Sequence, residues 1–305
     1  DSISGAVVML VPHVRYWRGP FRVLSFPDFG LADLASPFFS AELFPSPEQF
    51  ASAWSAFMDG LSSVDVFDLR KIVPEVGQHQ NPLYSLANEG ERVLCLDLPE
   101  RNEGAPPHTC EFKKLRSKDK KLRQLGVEFC PVDGSEQCVD LVNTIHEQRH
   151  LRFEQLGRSN SLDERSGFID FYRDLASSRR DGVEIKGFGL KTEDEIVAAY
   201  FALIGHGVIN GVLISIGDEA WHRLSPGMIL TSDVITWARQ NGFRKFSFGT
   251  GMQAYKNRFC GTEIHLGRIC KLLNLTGVIF CASRYFIKEI KSSKHIHASA
   301  EDRRG

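Results

Sequence analysis

Residues 213–259 read LISIGDEAWHRLSPGMILTSDVITWARQNGFRKFSFGTGMQAYKNRF, and this stretch decides the fold. It continues an apolar, β-branched run at 209–216 that predicts a buried strand. Residues 228–240 repeat apolar side chains at helical spacing, and residues 243–248 alternate apolar and polar as another strand does. A strand, a helix and a strand in this order normally form a parallel, right-handed crossover, with ligands at the carboxyl ends of its strands. Three side chains suited to chemistry follow those ends: Tyr255, Lys256 and Arg258.

The turn that precedes this helix has its own signature. Ser225 is predicted to cap the helix with its side chain, and Pro226 is well tolerated in a first helical turn. Asn241 and Gly242 are typical of the end of a helix. The sequence therefore predicts a helix N-terminus that faces the end of the preceding strand.

The bulk composition is that of an ordinary soluble globular protein. A chain of 305 residues suffices for one large domain or two ordinary ones. With 42% hydrophobic residues, 25% charged residues and a formal net charge of −1, the chain is unlike proteins that coat nucleic acid or attach strongly to membranes. No run approaches the roughly 20 apolar residues that span a bilayer. Because it begins at Asp1 without an initiator Met, the sequence is interpreted as a fragment whose true beginning is missing.

The cysteines predict a reducing compartment. There are seven of them, an odd number, and no two form a C-x-x-C pair. This usage favours a cytoplasmic protein without a disulfide framework or a structural zinc site, and the histidines show no metal-ligand spacing. We therefore expect no metal and a cytoplasmic location.

Residues 1–110 predict a first domain that opens as β structure. Apolar patterning predicts strands at 6–11, 21–26, 64–69 and 92–98 and a helix at 47–62. The basic residues 13–20 are interpreted as a turn between the first two strands. Polar residues with Gly and Pro at 99–107 predict a connection, so the domain boundary is placed between residues 110 and 111.

Residues 111–124 form a strongly basic segment with two open interpretations. Seven cations lie here: Lys113, Lys114, Arg116, Lys118, Lys120, Lys121 and Arg123. Such a run suits phosphates or RNA. It also suits a solvated helix whose Leu115 and Leu122 face inward.

Residues 111–305 predict a second domain, which begins in the order β-α-α-β-β-β-α-β. The strands are expected at 127–132, 182–190, 196–204, 209–216, 243–248, 263–273 and 275–280, and the helices at 136–155, 163–178, 228–240 and 284–294. On the second of these helices one apolar stripe is predicted from Phe168, Phe171, Tyr172 and Leu175. The fold class is α/β (α+β).

Four pieces of this second half resemble one family. They are KKLRQLG at 120–126, FYRDLA at 171–176, LSPGMIL at 224–230, and FSFGTG at 246–251 followed by AYKNRF at 254–259. In this order on these elements, they resemble the GNAT superfamily of N-acyltransferases, in the branch shared with cellulose-biosynthesis-associated proteins and related to Fem-type peptidyltransferases. The resemblance implies tandem GNAT-like units, each a mixed, twisted central sheet flanked by helices. Residues 1–110 then correspond to a degenerate first unit and residues 111–305 to the acyltransferase domain.

The resemblance also implies a site for acyl-CoA, acetyl-CoA in the simplest case. Backbone N–H groups at a helix N-terminus bind phosphate well. The implied phosphate contacts are Arg223, Ser225, Gly227, Met228 and Ile229, with Arg258 as a further cation. Residues Ile214, Ser215 and Ile216 would run beside the pantetheine arm and direct an N–H at the thioester oxygen. The alternative for the Ser-Pro-Gly turn is a helix cap without a ligand.

Candidate catalytic residues follow from the same comparison. Tyr255 stands where many GNAT enzymes protonate the leaving thiolate, and a phenol with a pKa of about 10 suits that role; its alternative role is packing. Lys256 would stabilise the tetrahedral intermediate in a Fem-like enzyme. Related sequences often carry acidic residues where this chain has Ser247 and Met252, so a base is sought in Asp218, Glu219 and His222.

Three functions stay open at this level. The first is a cytoplasmic N-acyltransferase that joins acyl-CoA to an amine acceptor by direct attack in a ternary complex. The second is a Fem-like transferase that takes an aminoacyl group from tRNA, which the basic segment 111–124 favours. The third is a non-catalytic GNAT-like binding module, which the missing acidic residues favour. The acceptor is not specified, and a homodimer is left open.

Overall fold

The structure is a computed structural model that describes residues 7–274, except residues 41, 62, 99–111, 165–166, 179–182 and 252 and the side chains of 112–114. The chain divides into two compact units. One comprises Asp1–Glu91 with His265–Gly305, and the other comprises Arg92–Ile264. The boundary predicted between residues 110 and 111 falls outside the described residues and stays a prediction, as do the strand at 275–280 and the helix at 284–294.

The first unit contains a mixed sheet and one long helix. Its elements are β1 (Met9–Leu10), β2 (Val14–Arg18), β3 (Phe21–Ser25), β4 (Phe38–Phe39), α1 (Pro47–Asp59), β5 (Val66–Ile72), β6 (Glu75–Val76), β7 (His79–Gln80) and a 3-10 turn at Tyr84–Leu86. β3 pairs antiparallel with β2 and parallel with β5. The helix begins with a capping box in which Ser46 and Gln49 satisfy each other's backbone N–H groups, and it buries Phe50 and Trp54.

The basic turn predicted at residues 13–20 is wrong. Val14–Arg18 is a strand paired with β3, and the chain reverses only after it, where Gly19 has φ +60°. Four of the five residues of β2 are exposed. A strand without a buried face shows no apolar alternation, and so the sequence pattern could not reveal it.

A buried carboxylate joins β3 to the start of β5. Asp65 is 2% exposed, and its two oxygens accept hydrogen bonds from Arg22: Nη2 at 2.9 Å, Nε at 3.1 Å and the backbone N–H at 2.8 Å. Asn274 Nδ2 donates a further bond at 2.8 Å. The hydrogen bonds from the Arg22 side chain are the main reason that the pKa of Asp65 lies far below its ordinary range.

The second unit contains the crossover predicted from residues 213–259. Its helices are α2 (Phe112–Gln124), α3 (Ser135–Gln155), α4 (Phe168–Ser177), α5 (Glu219–His222) and α6 (Pro226–Gln240). Its strands are β9 (Glu128–Val132), β10 (Glu184–Lys191), β11 (Ile196–Gly205), β12 (Val208–Ile216) and β13 (Lys245–Thr250). β8 (Asn88–Asp97) and β14 (Thr262–Leu272) each run from one unit into the other.

The sheet of this unit has the order β8-β13-β12-β11-β10-β9. β12 and β13 are parallel, which confirms the predicted crossover, and the other neighbouring pairs are antiparallel. Consecutive strand residues point to opposite faces of a sheet. On β11, Tyr200 packs in one core with the buried face of α6, whereas Phe201 contacts Tyr172 of α4. Helices therefore flank both faces of a mixed sheet, as the predicted fold class requires.

The structure corrects the details of two helices. α4 begins at Phe168, not at residue 163, and it buries Tyr172 and Ala176, while Phe171 is 44% exposed. Phe171 is therefore not part of the buried stripe, because it lies one residue, or about 100°, from Tyr172 around the helix. α5 was not predicted, since four residues are too few to show a helical period. Leu115 and Leu122 of α2 are buried, as predicted.

Candidate active site

The parallel strands β12 and β13 separate toward their carboxyl ends. Their ladder has three register pairs, Val208↔Lys245, Ile209↔Phe246 and Asn210↔Ser247. β12 then continues to Ile216 and β13 to Thr250 with no further register pair between them in these two described strands. A gap therefore opens between the strands at the end of the crossover where ligands normally bind.

A β-bulge in β12 accompanies this opening. Phe201 opposes Leu213 whereas Ala202 opposes Gly211, so Val212 is an extra residue. Bulges bend a strand and increase its local twist. Gly211 leaves room for a neighbour, because a Cβ there would lie 1.8 Å from the hydroxyl oxygen of Tyr200.

Alternation along β12 decides which backbone groups face the gap. The Gly217 N–H donates to the Val197 carbonyl of β11 at 2.9 Å. In an antiparallel pair every second residue bonds to the partner, so Ser215 also directs its N–H and C=O toward β11. Ile214 and Ile216 then direct theirs to the opposite edge, which is the gap. Ser215 is one of the three residues predicted beside the thioester arm, but its backbone groups face β11. Its hydroxyl donates to Gln148 Oε1 at 2.7 Å.

Arg149 of α3 reaches this edge. Its Nη1 donates to the Ile214 carbonyl at 3.3 Å and its Nε to Asn160 Oδ1 at 3.2 Å, and the guanidinium lies 5.2 Å from the centre of the Phe153 ring. Burial lowers the pKa of Arg149, while Tyr172, Asp163 and Tyr255 act in the opposite direction. No carboxylate among the described residues lies within 4 Å of this guanidinium. The edge of the gap thus holds a half-buried cation without a direct counter-ion among the described residues.

The charge of Arg149 acts on Tyr255. It follows β13, packs against the core shared with α6, and is half-buried. Burial raises the pKa of the Tyr255 phenol, and the Arg149 cation offsets part of that rise. The phenol is therefore protonated at neutral pH and is suited to donate a proton.

Lys256 is only 4% exposed, and its side chain binds the carboxyl end of β13. Its Nζ donates to the carbonyls of Thr250 at 2.8 Å and Gly249 at 3.3 Å. It thereby fixes the turn that carries Tyr255. Arg258 is exposed and contacts Met228 Sδ through Nη1 at 3.9 Å, which places it near the first turn of α6.

The helix start at α6 departs from the predicted cap. Ser225 has φ +57° and its side chain does not cap the helix; its hydroxyl accepts a hydrogen bond from Lys118 Nζ at 2.8 Å. The N–H groups of Met228 and Ile229 donate to the Ser225 carbonyl at 3.1 and 3.2 Å. Gly227 is buried, and a Cβ there would lie 3.1 Å from Ile216 Cδ1. The first turn of α6 therefore packs directly against the end of β12.

A basic cavity of about 500 Å³ adjoins this turn. Lys118 and Lys121 of α2 line it together with Arg223, Leu224, Gln124 and Leu125. Three cations at a helix N-terminus suit an anion of more than one charge, such as a pyrophosphate. Of the predicted phosphate contacts, Arg223 lines this cavity directly and Ser225 is held by one of its lysines.

The candidate bases are placed less favourably. Asp218 is exposed and its Oδ1 caps α5 by accepting the Ala220 N–H at 2.8 Å; Glu219 is exposed in the same turn. His222 Nε2 lies 3.2 Å from the Gly217 carbonyl and 3.3 Å from Arg152 Nη1. Ser247 is buried beside Cys95, and Met252 lies outside the described residues.

Two residues of the gap were not predicted. Asn210 belongs to the last register pair before the strands separate, and its buried Oδ1 has no hydrogen-bond partner among the described residues. Arg149 continues the buried stripe of α3, which is formed by Cys138, Leu141, Val142 and Ile145. A cation four residues after Ile145 interrupts an apolar stripe, and that interruption was the available sequence signal.

The part of the chain that the structure describes holds neither a helix long and apolar enough to cross a membrane nor a cluster of three or more metal-ligating side chains.

Residues 111–257 match the family model described as "Acetyltransferase (GNAT) domain". No curated protein sequence matches the chain significantly.

Among solved structures, the chain is similar to FemX, with a TM-score of 0.60, 11% identity and coverage of 89% of this chain and 86% of that chain. It is also similar to L-PGS from Bacillus licheniformis, with a TM-score of 0.55, 12% identity and coverage of 91% and 86%. A DUF2156 domain from Agrobacterium fabrum gives a TM-score of 0.57, 13% identity and coverage of 88% and 83%.

At these identities the solved structures show the fold alone, and the cellulose-associated branch stays a prediction. The family model covers the crossover, the gap, the start of α6 and Tyr255. The match makes residues 111–257 similar to a GNAT-type acetyltransferase domain.

Proposed function

We propose that the protein is an N-acyltransferase that moves an acyl group, acetyl in the simplest case, from acyl-CoA to an amine by direct attack in a ternary complex. One observation carries the proposal: Arg149 donates to the Ile214 carbonyl at the edge of the gap, and its charge acts on the pKa of the protonated Tyr255 phenol. A thioester donor has an activated acyl group and a thiolate leaving group. The strand edge of the gap would hydrogen-bond the acyl group, and Tyr255 would protonate the thiolate.

The residues around the gap would have different roles in binding and catalysis. The basic cavity of Lys118, Lys121 and Arg223 would hold the phosphates of the donor. Backbone groups of Ile214 and Ile216 would pair with the amides of its arm, as a strand edge does. Tyr255 Oη would give its proton to the departing sulfur. Lys256 would keep Tyr255 in place through the carbonyls of Gly249 and Thr250.

The acceptor amine would enter on the side of α3. The unpartnered Oδ1 of Asn210 suits an N–H of that amine. His222 is the better of the candidate bases, because the carboxylate of Asp218 is already engaged as a helix cap. A cytoplasmic site of action fits the free cysteines Cys95, Cys130 and Cys138 of the described chain.

Calorimetry and turnover test this proposal together. Acetyl-CoA and longer acyl-CoAs are titrated into the protein, and acyl transfer to a panel of amines is measured for the wild type and Tyr255→Phe. We expect binding of at least one acyl-CoA, and a loss of kcat of about 100-fold in Tyr255→Phe with donor affinity retained. Absence of binding by every acyl-CoA would refute the proposal. Turnover abolished in Tyr255→Phe would exclude the non-catalytic module.

A Fem-like transferase acting on aminoacyl-tRNA is the second candidate, favoured by the same basic cavity on α2. It predicts RNA binding that weakens with salt and is lost when Lys118, Lys120 and Lys121 are replaced by Gln. Unchanged RNA binding in this variant would eliminate the candidate. The exposed Arg15 and Arg18 of β2, replaced by Gln, provide a control for the general loss of positive charge.

A further inference from the structure

Arg149 has unused hydrogen-bonding capacity at the gap. An arginine side chain carries five N–H donors. One at Nε is bonded to Asn160 and one at Nη1 to the Ile214 carbonyl, which leaves one N–H at Nη1 and two at Nη2. The free donors of Nη1 and Nη2 form a planar fork of the kind that binds the two oxygens of a carboxylate.

Among the residues that the structure describes, no carboxylate pairs with that fork. Asp163 is the nearest acidic influence, but its two oxygens accept from His146 Nε2 at 2.6 Å, His150 Nδ1 at 3.0 Å and Asn160 Nδ2 at 3.1 Å. Asn160 lies between Asp163 and Arg149, since it bonds to both. A half-buried cation without a paired anion is partly desolvated, and an anionic ligand would offset that cost.

We infer that Arg149 is a binding site for one carboxylate of a substrate, either on the acceptor amine or on the acyl group; this inference rests on the proposed function. A single guanidinium suits an anion of one charge. Phosphates are better matched by the three cations of the cavity on α2. Because Arg149 donates to the Ile214 carbonyl at the edge of the gap, the carboxylate is held at that edge, and the enzyme selects substrates that carry it.

A binding experiment tests the site without requiring acyl transfer. The protein is labelled with 15N-arginine, and the Nε resonance of Arg149, assigned by its loss in Arg149→Gln, is followed while succinate or uncharged succinamide is added. We expect a saturable shift with succinate alone. Arg158→Gln, a change of an exposed arginine just after α3, should leave that shift intact. No saturable shift with succinate, or an equal shift with succinamide, would overturn the inference.

Kinetics distinguish the two sources of the carboxylate. One arm compares 4-aminobutyrate with its amide as acceptors of an acetyl group; the other compares succinyl-CoA with acetyl-CoA on an uncharged amine. We expect the wild type to favour the charged substrate in one arm, and Arg149→Gln to lose about 10- to 100-fold of that preference, mainly in KM. Arg149→Lys should restore part of it, because the charge is kept while the fork is lost.

The outcomes separate this inference from the proposed function. A wild type that shows no preference in either arm, or an Arg149→Gln variant that keeps the preference, refutes the carboxylate site while acyl transfer stands. If no donor supports transfer, the proposed function fails, and the succinate titration still decides whether Arg149 binds a carboxylate.

Discussion

Asp65 of the first unit is buried and Arg149 of the second is half-buried, and the surroundings of these two charged groups differ. Asp65 receives three hydrogen bonds from Arg22 and one from Asn274. Arg149 has neutral hydrogen-bond partners and an aromatic ring, with no carboxylate within 4 Å in the described chain. A buried charge whose hydrogen bonds are supplied by the protein contributes to the stability of the fold. A charge with unused N–H donors instead indicates a site where a ligand binds.

The largest expected effect is the loss of the satisfied charge. Asp65→Ala leaves a buried backbone N–H of Arg22 and the amide of Asn274 without their acceptor, so the free energy of unfolding should fall by about 2 kcal/mol. The value is at the low end because the Arg22 side chain remains 36% exposed and regains water. Denaturant unfolding measures it, with the exposed Asp59→Ala as the matched control. Equal stability of the two variants would show that the hydrogen bonds to Asp65 do not stabilise the fold.

Protonation of Asp65 should govern how the free energy of unfolding changes with pH in the acid range. Its pKa is lowered in the folded protein, so its contribution is present above the unfolded value of about 3.9 and is lost as the pH falls through and below that value. Unfolding is measured between pH 6 and pH 2 for the wild type and Asp65→Asn. The wild type should lose more stability over this range; parallel curves would contradict the assigned pairing.

A smaller effect on stability is expected from the unsatisfied charge. Arg149→Met removes an uncompensated cation together with two hydrogen bonds to neutral acceptors, and these changes oppose each other. The free energy of unfolding should therefore change by less than about 1 kcal/mol while the charged-substrate preference disappears. Denaturant unfolding of this variant beside Asp65→Ala compares the two sites directly. A loss as large as that of Asp65→Ala would make Arg149 a structural residue.

The smallest expected effect concerns Tyr255. Burial raises the pKa of its phenol above the ordinary value of about 10, so the acid stays protonated across the neutral range. The rate of acyl transfer should show no loss from phenol ionisation up to about pH 9. In Arg149→Gln the pKa of Tyr255 should rise further, because the neighbouring cation that lowers it is gone. Spectrophotometric titration of tyrosinate, compared with Tyr255→Phe, checks the shift.

The fold could be predicted further than the site. The crossover of β12, α6 and β13 is visible because apolar residues repeat with the periods of strands and of a helix. Tyr255 could be selected because it follows the second strand of that crossover. By contrast, the sequence of β2 predicts a turn, because the strand has no buried face. The side-chain cap expected from Ser225 is replaced by a hydrogen bond from Lys118, which lies 107 residues earlier in the chain.

The sequence by itself determined the elements of the second unit apart from α5, the parallel pair at its centre and the basic character of α2, because periodicity and charge are local properties of the chain. Only the tertiary structure decided that β12 and β13 separate after Asn210, that Lys118 and Lys121 meet Arg223, and that Arg149 reaches the Ile214 carbonyl. Each of these depends on contacts between residues distant in sequence, and on strand register, which no local pattern encodes.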